Sequence, residues 1–297
     1  ILLAVFLPPP PKFLLALSQQ CWVPRICSIC SGENKVSDKQ PRLEIHQLNT
    51  GYPERPILQD INAVIPDGSI TSLIGANGCG KSTLLKTIAR FIEPTKGSVT
   101  LDGKAISDYR RRDLAQVLAV LPQTPVAPEG LTVRELARFG RHPHRSLLKQ
   151  ASSEDDAIVD EALSHAGMLD LADRYIEELS GGQRQRAWIA MALAQQTEVL
   201  LLDEPTTYLD ITHQTEVLRL LHRLNREQGR TIVMVLHDLN QATRYSDNII
   251  ALADGGIVAA GKPEDVITPE NIKRVFDLDC VVVEHPLDGT PLCLTVE

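Results

Sequence analysis

Eight consecutive residues, Gly75-Ala76-Asn77-Gly78-Cys79-Gly80-Lys81-Ser82, fit the spacing G-x-x-x-x-G-K-[ST] without substitution. That spacing suits the binding of anionic phosphate oxygens. Glycine at 75, 78 and 80 lets the backbone turn its N–H groups inward, and a helix starting at about Gly80 adds the positive end of its macrodipole. Lys81 is placed to reach the terminal phosphates of a nucleotide as a point charge. Ser82, followed by Thr83, offers a hydroxyl to a Mg2+ ion carried on those phosphates. Cys79 is expected to contribute its backbone N–H and no side-chain chemistry.

Two further stretches could do chemistry beside such a loop. Val199-Leu200-Leu201-Leu202 reads as a strand covered on both faces, and Asp203-Glu204-Pro205 follows it directly. An acid leaving a buried strand next to bound phosphate can hold Mg2+ through water, the role expected of Asp203. Glu204 would face the γ-phosphate and orient and deprotonate the attacking water. Leu179-Ser180-Gly181-Gly182-Gln183 opens a second helix with free N–H groups, and is again an anion site. The residues leave open whether the two helix starts bind two ligands or are halves of one shared site.

The elements that must position these residues can be read from periodicity and punctuation. Ser69 to Ile74 is apolar and β-branched enough for the strand before the loop, and Lys81 to Phe91 carries helical spacing after it. Leu43 and Ile45, then Ile61, Ala63 and Ile65, alternate with polar residues around a turn at Gly51-Tyr52-Pro53, as in an antiparallel layer. Glu93 to Gly97 is a turn, with a strand from Ser98 to Leu101. Thr132 is expected to cap a helix through Phe139, and Ser152 or Ser153 the next, in which Ile158, Ala162 and Ala166 share a face and Gly167 is the stop. A helix follows Ser180 to about Gln195. Beyond the apolar strand come a helix from Ile211 to Gln228, a strand from Thr231 to Leu236 and a hairpin at Asp254-Gly255-Gly256. Thr268-Pro269 starts the last helix.

The expected fold class is therefore α/β: a phosphate-loop NTPase core with an antiparallel β layer and a helical subdomain. Residues 42–123 and 179–297 form the α/β core, and 124–178 the helical subdomain. Residues 1–41, with Pro8 to Pro11 splitting two apolar runs, read as a disordered or non-native leader.

Composition narrows the function classes. A net charge of −8 with 4% aromatic residues argues against a protein that holds nucleic acid. Six cysteines at positions 21, 27, 30, 79, 280 and 293 show no even framework and fit a reducing compartment. Cys27-x-x-Cys30 has no second pair and is weak as a zinc site. The sequence has no run of 18 apolar residues that would suggest a membrane span.

With these motifs together, the chain from about Leu43 onward resembles the ATP-binding subunits of ABC transporters. The resemblance implies an ATPase acting as a head-to-tail homodimer. ATP would be sandwiched between the phosphate loop of one subunit and Ser180, Gly181, Gly182 and Gln183 of the other, with Mg2+ as cofactor. By position, Tyr52 matches the aromatic that stacks on adenine, and Gln123 matches the glutamine that senses Mg2+ and the attacking water. Asp210 matches the acid that speaks across the dimer, and His237 the histidine that contacts the γ-phosphate. Lys81, Gln123, Glu204 and His237 are thus the implied catalytic set, and Ser82, Gln123 and Asp203 the implied metal set. Phe139-Gly140-Arg141-His142-Pro143-His144 and Glu204 to Ile211 look most like ATPases that drive uptake of iron chelates such as ferric siderophores. Vitamin B12 and haem importers are near relatives, and an exporter ATPase is the alternative. A separate polytopic permease, an indirect substrate-binding protein and a peripheral place on the cytoplasmic face of the membrane complete what the resemblance implies.

Overall fold

A computed structural model describes residues 41–145 and 153–296. Residues 1–40 of the leader, with Cys21, Cys27 and Cys30, and the capping candidate Ser152 lie outside the described residues, while the last leader residue, Pro41, is the first of a strand.

The strands that precede and surround the phosphate loop are divided between two sheets. β1 (Pro41–Tyr52) and β2 (Arg55–Pro66) form a long antiparallel hairpin, followed by β3 (Ile70–Gly75), α1 (Lys81–Ile88), β4 (Lys96–Leu101), the two-residue β5 (Lys104–Ala105), α2 (Arg111–Val117) and β6 (Leu118–Leu121). The helical segment holds α3 (Val133–Phe139) and α4 (Ser153–His165). Then come α5 (Gly181–Ala194), β7 (Val199–Leu202), α6 (Ile211–Gln228), β8 (Thr231–Val235), α7 (Leu239–Tyr245), β9 (Asn248–Ala253) and β10 (Gly256–Gly261). The short α8 (Pro263–Val266), α9 (Pro269–Phe276) and the hairpin β11 (Cys280–Glu284) and β12 (Pro291–Thr295) complete the chain.

The central sheet runs β10-β9-β3-β8-β7-β6, parallel except for the antiparallel edge β10. The smaller antiparallel sheet runs β2-β1-β4-β5. Period-two alternation in the central strands divides the core in two. Leu200, Leu202, Ile232, Met234, Ile249 and Ala251 face the layer that contains α5 and α6. Val199, Leu201, Val233, Val235, Ile250 and Leu252 face the antiparallel sheet and α1. Strands covered on both faces explain the unbroken apolar runs.

Several expectations are corrected in detail. α1 ends at Ile88 rather than Phe91, because Arg90 turns left-handed (φ 59°) and the Phe91 N–H closes back onto the Lys86 carbonyl. β1 continues through Gly51 and Tyr52, so the turn falls at Pro53-Glu54, where Glu54 has φ 66°. In α4 the buried face is Val159, Ala162, Leu163 and Ala166, with Ile158 only half-buried at its margin. The expected cap at Thr132 is present as a full capping box with Glu135, and Gly167 stops the helix with φ 64°. β6, α2, α7 and the C-terminal hairpin have no counterpart in the expected elements.

The run Phe139 to His144 acts in packing. A Cβ on Gly140 would sit 2.1 Å from the Met191 carbonyl oxygen, so α3 can approach α5 this closely only with glycine there. The buried Arg141 guanidinium then joins three helices, donating to Asp155 Oδ1 of α4 (2.8 Å) and to the Ala194 carbonyl at the end of α5 (2.9 Å).

Candidate nucleotide site

The phosphate loop, Asp203 and His237 leave the carboxyl ends of β3, β7 and β8, adjacent parallel strands in register at Leu73 with Val235 and at Leu202 with Met234. Crevices outside the carboxyl ends of such strands are where α/β sheets bind ligands.

Within the loop, Gly75, Gly78 and Gly80 all have positive φ (150°, 80° and 111°). At Gly80 the positive φ favours glycine, and an added Cβ would also meet Leu58 Cδ2 at 2.4 Å, so that side chain would have to shift. Gly80 is the N-cap of α1 and offers no side-chain cap, which leaves the helix's first N–H groups for a ligand. Lys81 is buried and folds back, its Nζ donating to the carbonyls of Gly75 (2.8 Å) and Ala76 (3.0 Å). Asn77 and Gly78 are exposed at the crest, while Thr83 is buried on the first turn of α1. The Cys79 thiol is buried beneath the loop, and its N–H reaches the Ala76 carbonyl only at 3.3 Å.

Ser82 Oγ donates to Asp203 Oδ1 at 2.8 Å. Burial, the largest effect, raises the Asp203 pKa and the neighbouring Glu204 charge adds to it; the Ser82 hydrogen bond, Lys86 and Lys81 oppose. A buried carboxylate short of positive charge, paired with a hydroxyl at the phosphate end of the loop, is the hard oxygen donor set that suits Mg2+. Among the described residues no group of three or more His, Cys, Asp or Glu side chains could hold a metal by itself, so an ion here would take its remaining ligands from phosphate and water.

Glu204 is held from three sides. His237 Nε2 lies 2.8 Å from Oε1, Gln123 Nε2 donates to Oε2 at 2.6 Å, and Thr207 Oγ1 donates to Oε2 at 2.9 Å. Burial, again the largest effect, pushes its pKa up, but the hydrogen bonds from His237, Thr207 and Gln123 together with the His237 charge outweigh it and hold the carboxyl below its ordinary value. Its backbone is left-handed (φ 53°), a strained conformation for a non-glycine residue that costs on the order of 1–3 kcal/mol and clusters at functional sites. The structure thus joins Gln123, Glu204 and His237 from three loops. Thr207 is an addition that sequence reasoning missed; its position three residues after Glu204 was the available signal.

The remaining expected residues stand apart from this cluster. Tyr52 ends β1 opposite Arg55, with half its surface exposed. Asp210 caps α6, accepting from the His213 backbone N–H at 2.9 Å and lying 3.0 Å from His213 Nδ1. Ser180 caps α5 in a capping box with Gln183, in which the Gln183 N–H donates to Ser180 Oγ and the Ser180 N–H donates to Gln183 Oε1. Ser180 and Gly181 are exposed, whereas Gly182 is buried against the His213 ring. Among the described residues no hydrogen bond or ion pair joins Ser180–Gln183 to the phosphate loop, Asp203 or Glu204.

Comparison with known proteins bears on the family and the fold. The family model described as ABC transporter matches residues 58–207. The iron(3+)-hydroxamate import ATP-binding protein FhuC of Bacillus subtilis (strain 168) is 54% identical over 255 residues, which is 86% of this chain and 95% of that protein. Among solved structures, a metal-chelate type ABC transporter in an inward-facing conformation superposes with a TM-score of 0.76 at 28% identity, covering 86% of this chain and 98% of that one. A dimeric ATP-binding cassette in a post-hydrolysis state, bound to ADP and Pi, superposes with a TM-score of 0.65 at 30% identity over 74% of this chain and 98% of that one. The phosphate loop, the paired acids at the end of β7 and the α/β fold around them therefore have one identity: this chain belongs to the ABC transporter family, as an ATP-binding, ATP-hydrolysing cassette.

Proposed function

We propose that this cassette powers uptake of an iron chelate, in the class of ferric siderophores, as a homodimer beneath a separate polytopic permease on the cytoplasmic face of the membrane. The cargo assignment rests on likeness to an iron(3+)-hydroxamate import protein across nearly the whole of both chains. The observation that carries the mechanism is the hydrogen bond from Gln123 to Glu204. Gln123 opens the segment that leads from β6 into α3, so a displacement of the helical region is transmitted to the carboxylate beside the phosphate loop.

In this reading the arrangement of Lys81 and Glu204 is a resting one. Lys81 satisfies its charge on two loop carbonyls, and a terminal phosphate would draw it off them. The Gly78 to Ser82 N–H groups and the α1 terminus would bind the β- and γ-phosphates, with Tyr52 against the base. Ser82 and Asp203 would hold Mg2+, which supplies neutralisation of phosphate charge when bound. Glu204, engaged by three donors, is a poor base as it stands. Drawing Gln123 away would leave His237 and Thr207 to orient a carboxylate free to accept the proton of an attacking water. Ser180 to Gln183 of the second copy would close over the γ-phosphate, and Asp210 would lie at that junction, where the exposed Tyr208 and Ile211 flank it. Among the described residues no helix is long and apolar enough to cross a membrane.

Deleting the gene under iron limitation should abolish growth on one ferric chelate and be rescued by the wild-type chain but not by Glu204→Gln. Unimpaired growth on every chelate tried would remove the cargo assignment and leave the ATPase reading intact.

A further inference from the structure

The segment from Glu204 to Asp210 carries at one end the carboxylate assigned above to the attacking water, and at the other the acid that the proposed pairing places against a second copy. Glu204 and Tyr208 within it have left-handed backbones (φ 53° and 64°). Such strain persists only where the surroundings over-determine the conformation. Both ends of the segment are tied to one place, the junction between β8 and α7.

At the first end His237, just beyond β8, has its Nε2 2.8 Å from Glu204 Oε1. At the second end the hold passes through two side-chain amides. Gln214, in the first turn of α6, donates from Nε2 to the Leu209 carbonyl at 2.9 Å. A carbonyl can only accept, so Gln214 Oε1 is left as an acceptor, and Gln241 Nε2 donates to it at 2.8 Å. The Gln241 backbone N–H donates in turn to Asp238 Oδ1 at 2.9 Å, and Asp238, the N-cap of α7, directly follows His237. The Gln214 backbone N–H also donates to the Asp210 carbonyl at 2.9 Å. Both glutamines are half-buried, and Leu209 between them and Asp210 packs on the main core. Among the described residues neither glutamine is hydrogen-bonded to the phosphate loop, Asp203 or Glu204.

We propose that Gln214, held by Gln241, is a positioning residue that fixes the Asp210 end of this segment to the junction carrying His237, so that a γ-phosphate engaged by His237 sets the loop presented to the second copy. The inference rests on the head-to-tail pairing proposed above, and adds the contact through which one copy's phosphate site biases the other's. The two amide hydrogen bonds act in series. Breaking either one uncouples Leu209 from α7, and breaking the other afterwards changes little.

The test uses the full chain with Gln214→Leu, Gln241→Leu and both together. ATP turnover is measured beside ADP binding by calorimetry, and ATP-dependent pairing is followed by sedimentation with Glu204→Gln added. ADP needs only the phosphate-loop half of the site, so it counts the folded chains. Each single substitution should lower kcat by about 3- to 10-fold and raise the ATP needed for pairing by a similar factor, and the double should go no further than the larger single, with ADP affinity and stoichiometry unchanged. Turnover lost only in proportion to ADP binding would make the glutamines packing residues and overturn the proposal. So would unchanged turnover, or losses that simply multiply in the double. If the otherwise unsubstituted Glu204→Gln chain stays single at every ATP concentration, the head-to-tail reading falls and this inference with it. Should Gln214→Leu give no soluble chain, Gln241→Leu decides by the same comparison of turnover with ADP binding.

Discussion

The two helix starts built for anions differ in what surrounds them. The start of α1 stands among groups already engaged with their own chain: Lys81 on loop carbonyls, Ser82 on Asp203, and Glu204 held by His237, Gln123 and Thr207. The start of α5 is equally well formed but turned outward. Its capping box satisfies Ser180 and Gln183 with each other, and Ser180 and Gly181 meet solvent. In the proposed mechanism the first region supplies the groups for bond breaking, and the second offers backbone donors that no described residue of the chain engages. A pair of copies arranged head to tail would bring the two together twice, each copy giving both halves.

Substitutions should separate these two regions by the kind of loss as well as its size. Glu204→Gln should lower ATP turnover by about 10²- to 10⁴-fold, roughly 3–5 kcal/mol of barrier, while ATP binding measured by calorimetry persists. Near-normal turnover would mean that another group takes the proton. Gly182→Ala places a Cβ 1.7 Å from the His213 ring and should cost about 1–3 kcal/mol in chemical denaturation, whereas Gly181→Ala, with its nearest neighbour Leu209 at 3.7 Å, should cost little. Equal losses at both positions would show that the His213 contact does not fix the α5 start. Tyr52→Ala should weaken ATP binding by about 3- to 10-fold with turnover at saturation unchanged, as expected for a stacking residue.

A change of opposite sign is expected in stability without nucleotide. Asp203→Asn removes a buried carboxylate whose pKa is raised and keeps an acceptor for Ser82, so it should stabilise the empty chain at neutral pH by about 0.5–2 kcal/mol while abolishing Mg2+-dependent hydrolysis. The sign follows from linkage. A carboxyl raised above its usual 3.8 costs the fold most above its folded pKa, so the advantage of the Asp203→Asn substitution should shrink as pH falls through that value toward 3.8. Glu204 is opposite: held below its usual 4.5, it contributes stability above 4.5 that is lost as pH falls through its lower folded pKa. Melting curves of both variants against pH distinguish the two carboxyls.

What could be read in the sequence was what depends on neighbouring residues. The phosphate loop, the Thr132 capping box, the Gly167 stop and the Thr268-Pro269 start are local devices whose chemistry fixes both residue type and spacing. What could not be read depends on distant partners. The Gln123 and His237 hold on Glu204 spans 81 and 33 positions and is produced only by adjacency of β6, β7 and β8. β6 follows α2 with no turn residue between them to announce it. Gly182 reads as backbone freedom for an anion site, yet its lack of a side chain also makes room for His213 on another helix. The C-terminal hairpin is short and half-exposed, and its two cysteines come onto one face only through strand pairing.

The central claim is that the site at the phosphate loop is completed by the α5 start of a second copy. A structure of the Glu204→Gln chain with ATP and Mg2+ tests it most directly. The account predicts a dimer in which Ser180 Oγ and the Gly182 N–H of one copy lie about 3 Å from the γ-phosphate bound to Gly75–Ser82 of the other. A nucleotide enclosed wholly by its own chain, with Ser180 still facing solvent, would contradict it.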